Sequence, residues 1–220
     1  MKKLFIIANW KSNKTASEAH EWLQNLSDFQ FPSIEEKIVI VCPSFTSLSV
    51  LKNFIIEKNL PIFVGSQDIS PFTPGAYTGE MNANQIKEFV SYTIIGHSER
   101  RNYFKEDDAL LAKKVQIALA GGLQPVFCIQ GKDTPIPEGV QIVAYEPLSA
   151  IGTGHPDTPE DAENVAHTVK GGHPGISVLY GGSVTPDEVH SFTQLPSIDG
   201  VLVGGASLDA EKFTQLISNA

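Results

Sequence analysis

Eight short apolar runs, alternating with stretches of helical spacing, constrain this chain more than any other feature. The runs are LFIIAN (4–9), KIVIV (37–41), PIFVGSQ (61–67), YTIIG (92–96), LQPVFCI (123–129), VQIVAY (140–145), ISVLYGG (176–182) and GVLVGG (200–205). Most are continuously apolar, as strands covered on both faces must be, and this favours a parallel sheet over an alternating antiparallel one. Between them lie TASEAHEWLQNL (15–26), SFTSLSVLKNFIIEKN (44–59), NANQIKEFV (82–90), EDDALLAKKVQIALAGG (106–122), TPEDAENVAHTV (158–169), TPDEVHSF (185–192) and DAEKFTQLI (209–217). Several begin with Ser, Thr, Asn or Asp, and one ends at Gly121-Gly122, a fitting helix stop. Eight strands with helical crossovers predict an α/β chain folded as a (β/α)8 barrel, with residues 1–220 forming a single domain; a doubly wound open sheet is the alternative.

One crossover lacks its helix. QGKDTPIPEG (130–139) joins the fifth and sixth runs and carries Pro135 and Pro137, which stop an ordinary helix. The helix between strands 5 and 6 is therefore expected to be missing or reduced, leaving a flank of the barrel uncovered.

Composition removes several function classes. A formal net charge of -9 opposes nucleic acid and anionic membrane as partners, so an anionic ligand would need local donors at strand ends and helix N-termini. No apolar run approaches the roughly 20 residues of a membrane span, and the start, MKKLFIIANW, is too short in its apolar part for a secretory signal; a cytoplasmic location is expected. Cys42 and Cys128 are in no C-x-x-C pair and read as free, buried thiols of a reducing compartment. His20, His155, His167, His173 and His190 have no metal-ligand spacing, and no metal is expected.

In such barrels the chemistry sits at the C-terminal strand ends. Those ends carry Asn9 and Lys11 after the first strand, Gln67 after the third, His97 after the fourth, Glu146 after the sixth, Ser183 after the seventh, and Gly204-Gly205 after the eighth. Singly, Lys11 reads as a solvated lysine, His97 as a helix cap and Glu146 as a loop acid. Together a base, a neutral donor and a fixed cation at one barrel mouth fit proton-transfer chemistry.

NWK (9–11), GAYTGE (75–80), IIGHSERR (94–101), AYEP (144–147) with AIGTG (150–154), YGGSV (180–184) and GVLVGGASL (200–208) run in order along nearly the whole chain. In these motifs the sequence resembles the triosephosphate isomerase family, in a shortened form. The resemblance implies cofactor-free interconversion of dihydroxyacetone phosphate and D-glyceraldehyde 3-phosphate through an enediolate, a step shared by glycolysis and gluconeogenesis. It assigns Glu146 as the base, His97 as a neutral imidazole electrophile beside a helix N-terminus, Lys11 as the cation and Asn9 as the group holding the oxygen end. Phosphate would be held by Ser183, with Gly182, by Gly204 and Gly205, and by Gly152 when a lid formed by the AIGTG segment closes. Glu99, Ser98 and Cys128 would support the site, with Glu99 pairing Lys11 and Cys128 a packed thiol.

The resemblance also implies a homodimer through the 67–80 loop, bringing Thr78 near the neighbour's Lys11 and pairing Arg100 with Glu80 of the second subunit. Phe72 and Tyr77 in that loop would otherwise be exposed. Tetramer formation is a further expectation, suggested by the bare crossover. Ser149 and His155 depart from the family's usual tryptophan and lysine, and Gln130-Gly131 from its usual Gly-Glu. A different phosphate-binding barrel enzyme and a non-catalytic scaffold are the competing readings; the combination of Asn9, Lys11, His97 and Glu146 speaks against both.

Overall fold

The computed structural model describes residues 2–147 and 157–220. Its strands are β1 (Leu4–Asn9), β2 (Lys37–Cys42), β3 (Ile62–Ser66), β4 (Tyr92–Ile95), β5 (Gln124–Ile129), β6 (Ile142–Tyr145), β7 (Ser177–Tyr180) and β8 (Gly200–Val203). All eight pair in parallel and in chain order, and β8 returns to β1 through Phe5↔Gly200 and Ala8↔Val203, closing the barrel. This is the (β/α)8 architecture expected from the alternation of runs; the open-sheet alternative is excluded by the β1–β8 ladder.

Two apolar layers follow from the pleat. Ile7, Ile40, Ile94, Val126, Ala144, Leu179 and Leu202 fill the barrel interior, while the residues beside them, such as Ile6, Val39, Ile95, Phe127, Val143 and Val178, face the helices. The alternation reaches the mouth. Asn9, Cys128 and Glu146 stand two residues beyond the interior positions Ile7, Val126 and Ala144, so they share the inward face.

The helices are α1 (Ala16–Leu26), α2 (Leu48–Lys58), α3 (Ala83–Ile86), α4 (Ser98–Tyr103), α5 (Asp108–Ala120), α6 (Pro159–Gly172), α7 (Val189–Thr193) and α8 (Ala210–Asn219). Caps fix several starts: Thr15 and Glu18 form a reciprocal box on α1, and Thr158, with Pro159 at the first position, opens α6. Against the sequence expectation, the helices in the 82–90 and 185–192 regions are only four and five residues long, α3 and α7, the second running one residue past 192. Helix α4, directly after β4, was not separated as an element by periodicity, being six residues long.

Residues 130–141 join β5 to β6 with no helix. Ile136 and Val140 pack against the core from irregular backbone instead, and a cavity of about 890 Å³ opens beside them, lined by Phe5, Tyr92, Gln124 and residues 172–177. The bare flank read from Pro135 and Pro137 is therefore present.

Candidate active site

Lys11 is built into the mouth by strained backbone. Its φ of 52° lies in the left-handed region, which an L side chain adopts at a cost of order 1 kcal/mol or more. The surroundings hold it there: Asn9 Oδ1 accepts from the Lys11 N–H (3.1 Å), and Gln67 Nε2 donates to the carbonyls of Lys11 and Cys42 (2.9 Å each). The ammonium is 2.7 Å from Glu99 Oε1, the pairing the resemblance implied. A side chain at Gly204 would meet Lys11 Cε at 3.3 Å, so the glycine leaves room for the lysine stem.

His97 caps α4 and also faces the cavity. Its Nδ1 accepts from the Glu99 N–H at 3.3 Å, which leaves the ring proton on Nε2. Nε2 lies 3.1 Å from Glu146 Oε1. The cap reading and the site reading are thus one arrangement: the helix start fixes the tautomer, and the tautomer aims a donor inward. Arg101 braces this turn, donating from Nε to the Gly96 carbonyl at 3.0 Å while pairing with Asp108 at 2.6 Å.

Glu146 is 1 % exposed. Its backbone N–H continues the ladder to the Ile129 carbonyl (2.8 Å), and its Oε2 accepts from the Ser98 N–H at 2.7 Å. Burial pushes this carboxyl above the ordinary range, and the His97 ring, the Ser98 amide and the Cys128 thiol offset that only in part. Cys128 lies against the same carboxylate; burial first, and then the Glu146 charge, raise its thiol well above the ordinary value. A Cβ at Gly181 would stand 3.0 Å from Glu146 Cγ, so the β7 end must be bare where it passes the acid.

These groups share one cavity of about 300 Å³ with Gly182, Ser183, Val184, Thr185, Glu188, Gly204, Gly205 and Ala206. Asn9, Lys11, His97, Glu146, Ser183, Gly204 and Gly205 are thereby brought together. Gly152, with Ser149, His155 and the proposed lid, lies outside the described residues. No group of three or more His, Cys, Asp or Glu able to hold a metal occurs among the described residues.

Thr78 and Glu80 are exposed on the 67–80 loop, away from this cavity. Phe72 departs from the expected exposure: it is half-buried and stacked on Tyr77 with ring centroids 4.1 Å apart, and the Lys113 ammonium lies over its ring, 4.5 Å from the centroid. Arg100 already has partners within its own chain, Asp68 at 2.9 Å and Glu106 at 2.8 Å. Buried Lys114 joins the same two acids at 2.6 Å each. Sequence reasoning missed Asp68, Glu106 and Lys114, since Asp68 meets the other two across about forty residues of chain. It also missed Glu188, whose only signal was a position five residues beyond Ser183.

Comparison with known proteins shows the family. The sequence profile of the family described as triosephosphate isomerase matches residues 4–220. Curated relatives named triosephosphate isomerase include those of Thermus thermophilus (36 % identical, spanning 99 % of this chain and 98 % of the relative) and Dictyoglomus thermophilum (35 %, 100 % of each). That of Chlamydia felis is 36 % identical over 99 % of this chain and 98 % of its own. With a profile match across the barrel and full-length relatives above one-third identity, the chain belongs to the triosephosphate isomerase family.

Proposed function

We propose that the cavity interconverts dihydroxyacetone phosphate and D-glyceraldehyde 3-phosphate by proton transfer through an enediolate. The observation that carries this reading is the convergence of a buried carboxylate and an imidazole N–H, 3.1 Å apart, in one cavity with Lys11. Glu146 takes the proton from the carbon beside the carbonyl and returns it to the neighbouring carbon. His97 Nε2–H, 3.1 Å from Glu146 Oε1, donates to the substrate oxygen as charge develops there. Lys11 offsets that charge and Asn9 holds the oxygen end. One carbon is oxidised as its neighbour is reduced, so electrons balance within the substrate. Ser183, Gly204 and Gly205 bind the phosphate, where bare backbone allows close approach; Gly152 would add to them.

The chain acts as one barrel and works as a homodimer through residues 67–80. The exposure of Tyr77 (45 %), Tyr103 (73 %) and Phe104 (66 %) supports a covered face on this side, with tetramer formation as an extension over the bare crossover. Two buried free thiols support a cytoplasmic setting. A coupled assay with D-glyceraldehyde 3-phosphate, run beside light scattering, tests both statements. Absence of turnover removes the first, and a fully active monomer at micromolar concentration removes the second.

A further inference from the structure

Glu188 has no role in the scheme above, yet it lines the same cavity. Among the described residues, the charged groups lining that cavity are Lys11, Glu146 and Glu188. Lys11 is already paired with Glu99, and Glu146 stands at the His97 end. Glu188 lines that cavity together with Ser183, Gly204 and Gly205, the residues to which the proposed function assigns the phosphate.

The carboxylate is fixed there rather than free to swing away. Its Oε2 accepts from the Thr185 Oγ1–H at 2.7 Å and from the Thr185 N–H at 3.2 Å, while the Glu188 N–H donates to the Thr185 carbonyl at 3.2 Å. Two consequences follow. The Thr185 N–H and hydroxyl, two residues beyond Ser183, are already occupied, and a negative charge is held beside the residues that a phosphate dianion must approach. A cavity of about 300 Å³ is roughly 8 Å across, so an anion anywhere within it stays within about one Debye length of the carboxylate at physiological salt.

We propose that Glu188 is a specificity-determining residue that sets an upper limit on how tightly the site holds a phosphate dianion. Free inorganic phosphate, which has only the phosphate end to bind, bears the whole repulsion. A triose phosphate offsets it through contacts at the Lys11 and His97 end. Glu188 thereby disfavours occupancy by inorganic phosphate and speeds departure of the phosphorylated product. This inference rests on the proposed assignment of the phosphate end.

The test compares wild type with Glu188→Gln, which keeps an acceptor for Thr185 and removes the charge. Inhibition of isomerisation by inorganic phosphate is measured at low and high potassium chloride, with melting temperature as a control. The expected result is a Ki for inorganic phosphate about 5-fold lower in the variant at low salt, with the difference shrinking at high salt and KM falling less than Ki. A Ki that is unchanged or higher in the variant overturns the proposal and leaves Glu188 as a turn-fixing residue only. If wild type fails to isomerise triose phosphate, the proposed function falls. Calorimetric titration of inorganic phosphate into both proteins then decides the role of Glu188 by the same criterion.

Discussion

The Lys11 ammonium and the Glu99 carboxylate, carried by the end of β1 and the first turn of α4, meet at 2.7 Å over the barrel mouth. Both side chains are about a third exposed, so the pair contributes little to folding, and its weight falls on aiming the lysine. Glu99→Gln keeps an acceptor for the ammonium and should change kcat/KM by less than about 10-fold. Lys11→Met removes the cation and should lower kcat/KM by at least about 100-fold, with weakened binding of anionic inhibitors. Equal effects of the two substitutions in steady-state assays would show that Lys11 acts through its partner rather than on the ligand.

Glu146→Gln should lower kcat by about 1000-fold or more while phosphate-ligand binding is largely retained, because the amide keeps the shape and cannot take the proton. Because burial raises the carboxyl above its ordinary 4.5, the acid limb of kcat/KM for wild type should lie above that value. The same shift has a stability signature of defined sign. Ionising a group whose folded pKa is raised costs the fold, so wild type should lose stability relative to the Gln variant as pH rises from 4.5 through the raised value. Urea melts of both proteins across that range check this.

The Asp68, Arg100, Glu106 and Lys114 cluster should be a stability element. Burial pushes the Glu106 carboxyl up, but the Arg100 and Lys114 donors outweigh it and hold it below the ordinary range. Its stabilisation is therefore present above pH 4.5 and lost as pH falls through the depressed value. Asp68 runs the other way, pushed up by burial despite the same two cations. Glu106→Gln should cost about 3 kcal/mol at pH 7, because it strips a partner from buried Lys114, and the difference from wild type should narrow in acid. A cost that does not vary with pH would assign the loss to packing alone.

Both thiols should resist labelling in the native protein. Cys42 and Cys128 are buried, and desolvation raises each above the ordinary thiol value, leaving almost no thiolate at neutral pH. Modification by a disulfide reagent should proceed only as fast as the barrel unfolds. Rapid labelling of Cys128 in native buffer would mean that its side of the site opens locally.

The barrel was legible because its strands are buried on both faces and keep apolar runs, and because polar residues interrupt those runs at the strand ends. Asn9, His97 and Glu146 could be found by that rule alone. Helices α3, α4 and α7 were harder: at four to six residues they are shorter than the two turns that periodicity needs, and caps and tertiary contacts set their limits. The partners of Arg100 were not legible, since Asp68, Glu106 and Lys114 meet only after β3, the 104–107 turn and α5 are packed together. Glu188 carries no distinguishing signal of its own in the sequence, because an acid five residues past a phosphate-loop serine has the same pattern as any turn acid.

The helix-free crossover makes hydrogen-bond register a part of the chemistry. With no helix of its own between β5 and β6 to hold it, β6 takes its height from the pairs Val126↔Ile142 through Ile129↔Tyr145, and from β7 on its other side. A slip of one residue in these ladders would turn Glu146 from the mouth into the helix layer and bring Tyr145 inward. Turns at 130–141 can absorb an added or lost residue at small entropic cost, whereas a single deletion within 142–145 would shift the base by one pleat and silence an otherwise closed barrel.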